Sequence, residues 1–124
     1  MRVLIADDQK SVGTSLADLV RLCRHEVVEV VGTGLEAIHA YDRHQPDVVL
    51  MDYYMPKFNG AVACRNIVAK YPSARIILVS GSRREVADSG AMAVLQKPVH
   101  LDQLYAALHQ AAQPPSLGAD DPTR

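Results

Sequence analysis

Short apolar runs alternate along the chain with segments of helical periodicity, and this alternation restricts the fold more than any other feature of the sequence. The runs are rich in β-branched residues, which is typical of strands buried on both faces of a parallel sheet. They occupy residues 3–6, 27–31, 48–51, 76–80 and 93–95. Strands and helices that alternate in this way predict a doubly wound α/β domain with right-handed crossovers. The alternation alone leaves the strand order open.

The segments between the runs repeat apolar residues at the spacing of one helix face. Gly34 stands near the start of the second predicted helix, and Asn59 is placed to cap the third. Pro46 and Pro72 lie beyond the ends of these two helices. The predicted buried faces are Val12, Leu16, Leu19, Val20 and Cys23; Leu35, Ile38 and Tyr41; Ala63 and Ile67 with Cys64 and Val68; and Leu101, Leu104, Tyr105, Leu108 and Ala112.

The length of the chain fits one domain. It has 124 residues, 48% of them hydrophobic, which is enough for one core and leaves no room for a second domain of any substance. We expect one domain over residues 1–112. Residues 113–124 contain three of the seven prolines and little to bury, and they are expected to form a flexible tail.

Charge, hydropathy and cysteine usage exclude several functions. The formal net charge is -1 and the basic residues are scattered, so the chain is not expected to bind nucleic acid directly. It contains no run of 18 apolar residues that could span a membrane, and its first apolar run is too short for a signal peptide. Cys23 and Cys64 form no CxxC motif and are expected to be reduced, partly buried thiols. We therefore expect a cytoplasmic protein.

Polar side chains stand at the carboxyl ends of four of the five predicted strands. The first strand ends at Asp7-Asp8 and the third at Asp52. Ser80 ends the fourth strand and Lys97 follows the fifth. Ligands of open α/β sheets bind outside these strand ends. Three carboxylates in one crevice repel one another unless a cation neutralises them, and oxygen ligands without His or Cys favour Mg²⁺.

The same set of residues can support phosphoryl transfer. A carboxylate can attack a phosphoryl donor and form an aspartyl phosphate. The step depends mainly on positioning and on charge neutralisation, which Mg²⁺, the Lys97 ammonium and the Ser80 hydroxyl can supply. One of the three carboxylates is therefore predicted to be the nucleophile, with Ser80 and Lys97 completing the catalytic set.

Over residues 1 to about 112 the chain resembles the receiver domain of bacterial two-component response regulators, the CheY-like family. This resemblance implies a flavodoxin-like parallel sheet of five strands in the order 2-1-3-4-5, flanked by five helices. It also implies a cis peptide bond between Lys97 and Pro98. The matching stretches are Val3-Leu4-Ile5-Ala6-Asp7-Asp8, Val48-Val49-Leu50-Met51-Asp52, Met55-Pro56, Asn59-Gly60, Ile77-Leu78-Val79-Ser80-Gly81, Gly90-Ala91 and Lys97-Pro98.

The resemblance also assigns a role to each residue of the site. Asp52 would accept the phosphoryl group from a histidine kinase. Asp8 and Asp52 would bind Mg²⁺ directly together with the backbone carbonyl of Tyr54, whereas Asp7 would act through water. The Tyr54 side chain overhangs this site in our interpretation, where its bulk would slow hydrolysis of the phosphorylated form; a ring that only packs locally is the alternative.

The sequence departs from the family pattern at two places that concern output. The family usually has Tyr or Phe three residues before the lysine, and this chain has Val94 there, so the usual rotating ring is missing. Gly90 follows Ser80 by ten positions, which is about five residues, or one and a half turns of 3.6 residues, fewer than in the family. We expect a shortened fourth helix, a mobile segment over residues 81–90, and a remodelled face formed by the fourth helix, the fifth strand and the last helix.

Three functions remain open from the sequence. The first is a phosphorylatable receiver that takes its phosphoryl group from a histidine kinase or a histidine phosphotransfer protein and then binds a downstream protein, or that acts as a phosphorelay component or phosphate sink. The second is a degenerate receiver that binds its partner without phosphorylation. The third, an aspartate-based phosphatase, is the weakest because no cap insertion or second acid/base lies near Asp52 in the sequence. A monomer or weak dimer is expected.

Overall fold

The computed structural model describes residues 1–56, 58–81 and 89–113, which form five strands and four helices. Chain order is β1 (Arg2–Ala6), α1 (Lys10–Leu22), β2 (Glu26–Val31), α2 (Gly34–His44), β3 (Val48–Asp52), α3 (Gly60–Lys70), β4 (Ile76–Ser80), β5 (Ala93–Gln96) and α4 (Leu101–Ala112). All strand pairs are parallel, and the sheet has the order β2-β1-β3-β4-β5. The predicted fold class and strand order are confirmed.

The core consists of two layers, one on each face of the sheet. One layer packs apolar residues of α1 and α4 against the sheet, and the other packs those of α2 and α3 against the opposite face. Every residue of β3 and β4 is buried. The prediction that all five strands are buried on both faces is wrong for β2 and β5, because these strands lie at the edges and are only partly covered.

The predicted helix faces are only partly right. Leu35, Leu101 and Tyr105 were expected in the core, but their exposed fractions are 42%, 45% and 55%. Ala112 is exposed as well. Small residues occupy much of the contact instead, because alanine lets a helix approach the sheet closely, whereas the sequence pattern gives more weight to large apolar side chains. The buried residues of α2 and α4 include Ala37, Ala40, Tyr41, Leu104, Ala107, Leu108 and Ala111.

Several local predictions are confirmed. Asn59 caps α3, since its side chain accepts a hydrogen bond of 2.9 Å from the backbone N–H of Val62. The Lys97-Pro98 peptide bond is cis. Cys23 and Cys64 are buried and form no disulfide.

Three predictions lie largely outside the described residues. The shortened fourth helix, expected over Arg83–Ser89, and the mobile segment over residues 81–90 fall largely on residues 82–88. The tail lies within residues 114–124 apart from Gln113, which follows the last turn of α4. In the part of the chain that the structure describes, no helix is both long and apolar enough to cross a membrane.

Candidate functional site

Three carboxylates meet at the carboxyl edge of the sheet. β1 and β3 are neighbours with Ala6 opposite Met51, so the residues that follow them come together. Asp7, Asp8 and Asp52 each offer one carboxylate oxygen, and these three oxygens lie within 4.8 Å of one another. Asp7 and Asp52 are each only 2% exposed, whereas Asp8 faces solvent. Such spacing allows a single ion to contact all three residues.

Lys97 and Ser80 lie at the same edge. The Lys97 Nζ atom is 3.0 Å from Asp52 Oδ1, and the two groups form an ion pair. The backbone N–H of Lys97 donates a hydrogen bond of 2.9 Å to the carbonyl of Ser80, which joins the ends of β4 and β5. Ser80 is buried. The structure thus brings the predicted lysine and serine to the edge that carries the carboxylates.

Tyr54 lies two residues beyond Asp52 in the loop between β3 and α3. Its ring is 57% exposed and contacts the Tyr53 ring edge-on, with the ring centroids 4.9 Å apart. The loop is closed at its base, because the N–H of Gly60 donates a hydrogen bond of 2.7 Å to the carbonyl of Tyr53. The predicted ligand carbonyl of Tyr54 therefore belongs to a loop that begins and ends beside Asp52.

The two buried carboxylates carry a charge that the protein only partly compensates. Burial is the main cause that raises the pKa of Asp7, and the charges of Asp52 and Asp8 raise it further. Burial also raises the pKa of Asp52, and the Lys97 ammonium opposes this increase. Among the described residues, Lys97 is the ammonium group that is paired with these carboxylates, so the ionised crevice carries a net negative charge.

The site fits a hard divalent cation. Asp7 Oδ1 accepts a hydrogen bond of 2.9 Å from the N–H of Gln9. Asp7 Oδ2 is fully buried and accepts none from any group in the described residues. A buried carboxylate oxygen without a donor is costly unless a cation or an ordered water contacts it. Since every ligand atom is an oxygen, the site suits Mg²⁺.

Sequence reasoning missed two glycines around this loop. A Cβ atom on Gly60 would lie 2.3 Å from the carbonyl oxygen of Asp52, and one on Gly34 would lie 2.5 Å from that of Phe58. Gly34 and Asn59-Gly60 were noted only as helix-start and family-motif residues. Gly34 and Phe58 lie 24 positions apart and Gly60 meets Asp52 across a folded loop, so the crowding depends on the fold and leaves no signal in the local sequence.

A doubly wound sheet with an acidic crevice and a lysine at its carboxyl edge defines a class of phosphoryl-signalling domains. Comparisons with known sequences and structures place this chain in the same class. A model of the response regulator receiver domain matches residues 3–109. The chemotaxis protein CheY of Listeria monocytogenes is 36% identical over 118 residues, which cover 91% of this chain and 99% of CheY. A response regulator receiver domain from Clostridium thermocellum has a TM-score of 0.82 at 25% identity and covers 89% of this chain and 92% of its own.

The chain belongs to the response regulator receiver domain family of two-component signalling. The transcriptional regulatory protein PdtaR of Mycobacterium tuberculosis is also 36% identical, over 114 residues and 89% of this chain. This chain spans only 56% of the length of PdtaR. Receiver domains generally bind Mg²⁺ and interact with histidine kinases and downstream effectors.

Proposed function

We propose that this receiver domain accepts a phosphoryl group on Asp52 from the phosphohistidine of a histidine kinase or a histidine phosphotransfer protein. The observation that carries the proposal is the position of the Asp52 carboxylate, buried between the acidic pair Asp7-Asp8 and the Lys97 ammonium. We further propose that the domain is cytoplasmic and that it contacts a downstream protein. It would do so as a monomer or a weak dimer.

Mg²⁺ would be held by Asp8, Asp52 and the backbone carbonyl of Tyr54, with Asp7 acting through a water molecule. When bound, the ion supplies positive charge that offsets the carboxylates and the incoming phosphoryl oxygens. The buried Asp7 Oδ2 atom, which accepts no hydrogen bond from the described residues, supports this assignment. Without a cation the crevice holds more negative charge than Lys97 can balance.

The remaining roles follow from the placement of the side chains. An oxygen of Asp52 attacks phosphorus, the phosphorus–nitrogen bond of the phosphohistidine breaks, and the electron pair leaves with the imidazole. Lys97 and Ser80 would hold the phosphoryl oxygens, because both lie at the strand ends beside Asp52. Hydrolysis of the aspartyl phosphate would return the domain to its starting state.

An apolar groove beside Lys97 supports docking of the phosphoryl donor. The groove has a volume of about 480 Å³ and lies between α1 and the segment that follows β5. Apolar side chains form most of its wall, and Lys97 is among the residues that line it. A helix that carries a phosphohistidine could place apolar side chains in this groove with the imidazole directed at Asp52. The groove is lined by Gln9, Val12, Ser15, Leu16, Leu19, Val79, Lys97, Pro98 and Val99.

A degenerate receiver that never becomes phosphorylated is less well supported. Burial raises the pKa of both Asp7 and Asp52, which means that the fold disfavours the ionised form of each group. A module that only binds a protein partner gains nothing from burying such groups. The retained charge and the retained lysine therefore favour a domain that undergoes phosphorylation.

The test is incubation of the full chain with acetyl phosphate and Mg²⁺, followed by intact-mass spectrometry. We expect a mass increase of one phosphoryl group that requires Mg²⁺ and is absent in Asp52→Asn. Asp18→Asn is the matched control, because Asp18 is an exposed aspartate on α1, and it should be phosphorylated like the wild type. A wild-type chain that gains no mass, or an Asp52→Asn variant that does, contradicts the proposal.

Val94 supports a second candidate, a phosphate sink or relay component with little conformational output. The Val94 side chain is half-buried and packs against the core layer of α2 and α3, so it offers no ring that could turn inward. Hydrogen exchange of β5 and α4 before and after phosphorylation separates the two candidates. Unchanged exchange would favour a sink or relay, and altered exchange would favour a switch that acts on a downstream protein.

A further inference from the structure

The first residue of α2 lies against the loop that carries Tyr54. A Cβ atom placed on Gly34 would be 2.5 Å from the carbonyl oxygen of Phe58 and 2.7 Å from its Cβ atom. Real Cβ atoms almost never approach other heavy atoms within 3.0 Å. Since the nearest obstacle is backbone, no side-chain rotation can relieve the contact. Any other residue at position 34 must move either α2 or the loop.

The helix is the better anchored of the two. The Thr33 side chain caps α2 by accepting a hydrogen bond of 3.0 Å from the N–H of Glu36. One turn further on, Ala37 and Ala40 are fully buried in the core layer. The loop is anchored by Met55, which is buried in the same core layer, but its far end is not, since Phe58 is 37% exposed. A side chain at position 34 would therefore displace the loop at Phe58.

Backbone hydrogen bonds restrict how far the loop can move at Phe58 and Gly60. The hydrogen bond between the Gly60 N–H and the Tyr53 carbonyl closes its base. Near its tip, the Phe58 N–H donates a hydrogen bond of 2.9 Å to the Pro56 carbonyl. Gly60 itself is pressed against the backbone of Asp52. A shift at Phe58 is thus passed through Gly60 to the backbone of Asp52 and Tyr53, next to Tyr54.

We propose that Gly34 is a positioning residue for the Mg²⁺ site. It touches neither the ion nor the phosphoryl group, but its missing side chain lets the loop approach α2 closely enough to keep Tyr54 beside Asp52. The inference rests on the proposed function, in which the Tyr54 carbonyl is a metal ligand. Groups that orient metal ligands typically change metal affinity by about 10- to 100-fold when they are altered.

The test compares Gly34→Ala with Gly32→Ala in the full chain. Gly32 is the matched control, because a Cβ atom there would be 3.8 Å from its nearest neighbour, the Glu36 Oε1 atom, which is an ordinary contact. Mg²⁺ affinity is measured by NMR titration with magnesium chloride, and the melting temperature is measured without metal. We expect the Mg²⁺ dissociation constant to rise about tenfold in Gly34→Ala and to stay within about twofold of the wild-type value in Gly32→Ala.

A merely structural role for Gly34 predicts a different result. Gly34→Ala would then melt at a lower temperature but bind Mg²⁺ as tightly as the wild type, and this outcome overturns the inference. If the wild-type chain itself binds no Mg²⁺, the proposed function is wrong, and the inference about Gly34, which depends on it, is wrong as well. If Gly34→Ala does not fold, it is combined with Phe58→Gly, which removes the Phe58 Cβ atom that the added side chain would meet at 2.7 Å. The double variant should bind Mg²⁺ several-fold more weakly than Phe58→Gly alone, because the contact with the Phe58 carbonyl remains, and equal binding overturns the inference.

Discussion

Asp7 and Asp52 set the energetics of the site at the scale of single residues. In the folded chain their pKa values are raised, chiefly by burial. An acid whose pKa is raised on folding stabilises the fold while it is protonated, and this contribution disappears as the pH rises through the folded-state pKa. Above the folded-state pKa values, and without a metal ion, Asp7 and Asp52 therefore lower the free energy of unfolding.

Replacing Asp7 tests this cost directly. In Asp7→Asn the amide oxygen can still accept the hydrogen bond from the Gln9 N–H, while the buried charge is removed. We expect the metal-free variant to be more stable than the wild type near neutral pH, because it lacks the Asp7 charge that burial disfavours. Urea denaturation in the presence of a chelator measures the change, and Asp18→Asn should leave stability nearly unchanged. A destabilised Asp7→Asn chain would contradict the account.

Tyr54 is expected to govern the lifetime of the phosphorylated state. Its exposed ring lies two residues beyond Asp52, where it could restrict the approach of water to the phosphoryl group. Tyr54→Asn should therefore lose its phosphoryl group several-fold faster than the wild type, as followed by mass spectrometry after removal of acetyl phosphate. Tyr105→Asn is the matched control, since Tyr105 is equally exposed but lies on α4. An unchanged or slower rate in Tyr54→Asn would leave the ring with only a packing role.

At the residue scale, the sequence was most informative where chemistry and topology coincide. Asp7, Asp8 and Asp52 could be placed together because parallel strands present their carboxyl ends at one edge. Gly34 could not be given its role, since its contact with Phe58 depends on how α2 and a distant loop approach each other. The sequence likewise could not show which oxygen of Asp7 is left without a hydrogen-bond donor.

At the scale of elements, the strands were predicted to within one residue at each end, because continuous β-branched runs have clear limits. The helix faces were predicted less well. Leu35, Leu101 and Tyr105 fit the periodicity but point to solvent, while Ala37 and Ala107 take up the contact with the sheet. Hydrophobic periodicity locates the helix, but the close approach that alanine permits decides which residues are buried.

The cap of α3 links element stability to the site. Asn59 accepts the hydrogen bond of the Val62 N–H, and the helix that it starts carries Gly60 against Asp52. Asn59→Ala should cost about 1 kcal/mol of stability in urea denaturation, a typical value for a lost N-cap. Asn66→Ala is the control in the same helix, because Asn66 is exposed and mid-helix, where alanine is the better helix former. Equal losses in both variants would show that the cap contributes nothing specific.

At the scale of the whole molecule, metal binding and folding should be linked through pH. Mg²⁺ binds the ionised carboxylates, so its stabilising effect should grow as the pH rises through the raised pKa values of Asp7 and Asp52. At ten times its dissociation constant, Mg²⁺ should stabilise the wild type by about 1.4 kcal/mol near neutral pH. Thermal melts with and without Mg²⁺ should differ by several degrees there and converge near pH ~4, the ordinary pKa of an aspartate.

This linkage has its own control. Asp52→Asn removes the central carboxylate, so its melting temperature should respond to Mg²⁺ little at any pH. A melting temperature of the wild type that ignores Mg²⁺ near neutral pH, or a shift of equal size in Asp52→Asn, would contradict the assignment of the ion to this crevice.

The most direct measurement is a calorimetric titration of the full chain with Mg²⁺, because the account depends on acidic side chains from β1 and β3 sharing one ion. The predicted result is one ion per chain, with binding weakened at least tenfold in both Asp8→Asn and Asp52→Asn and kept in Asp18→Asn. Binding that survives in either of the first two variants would contradict the account.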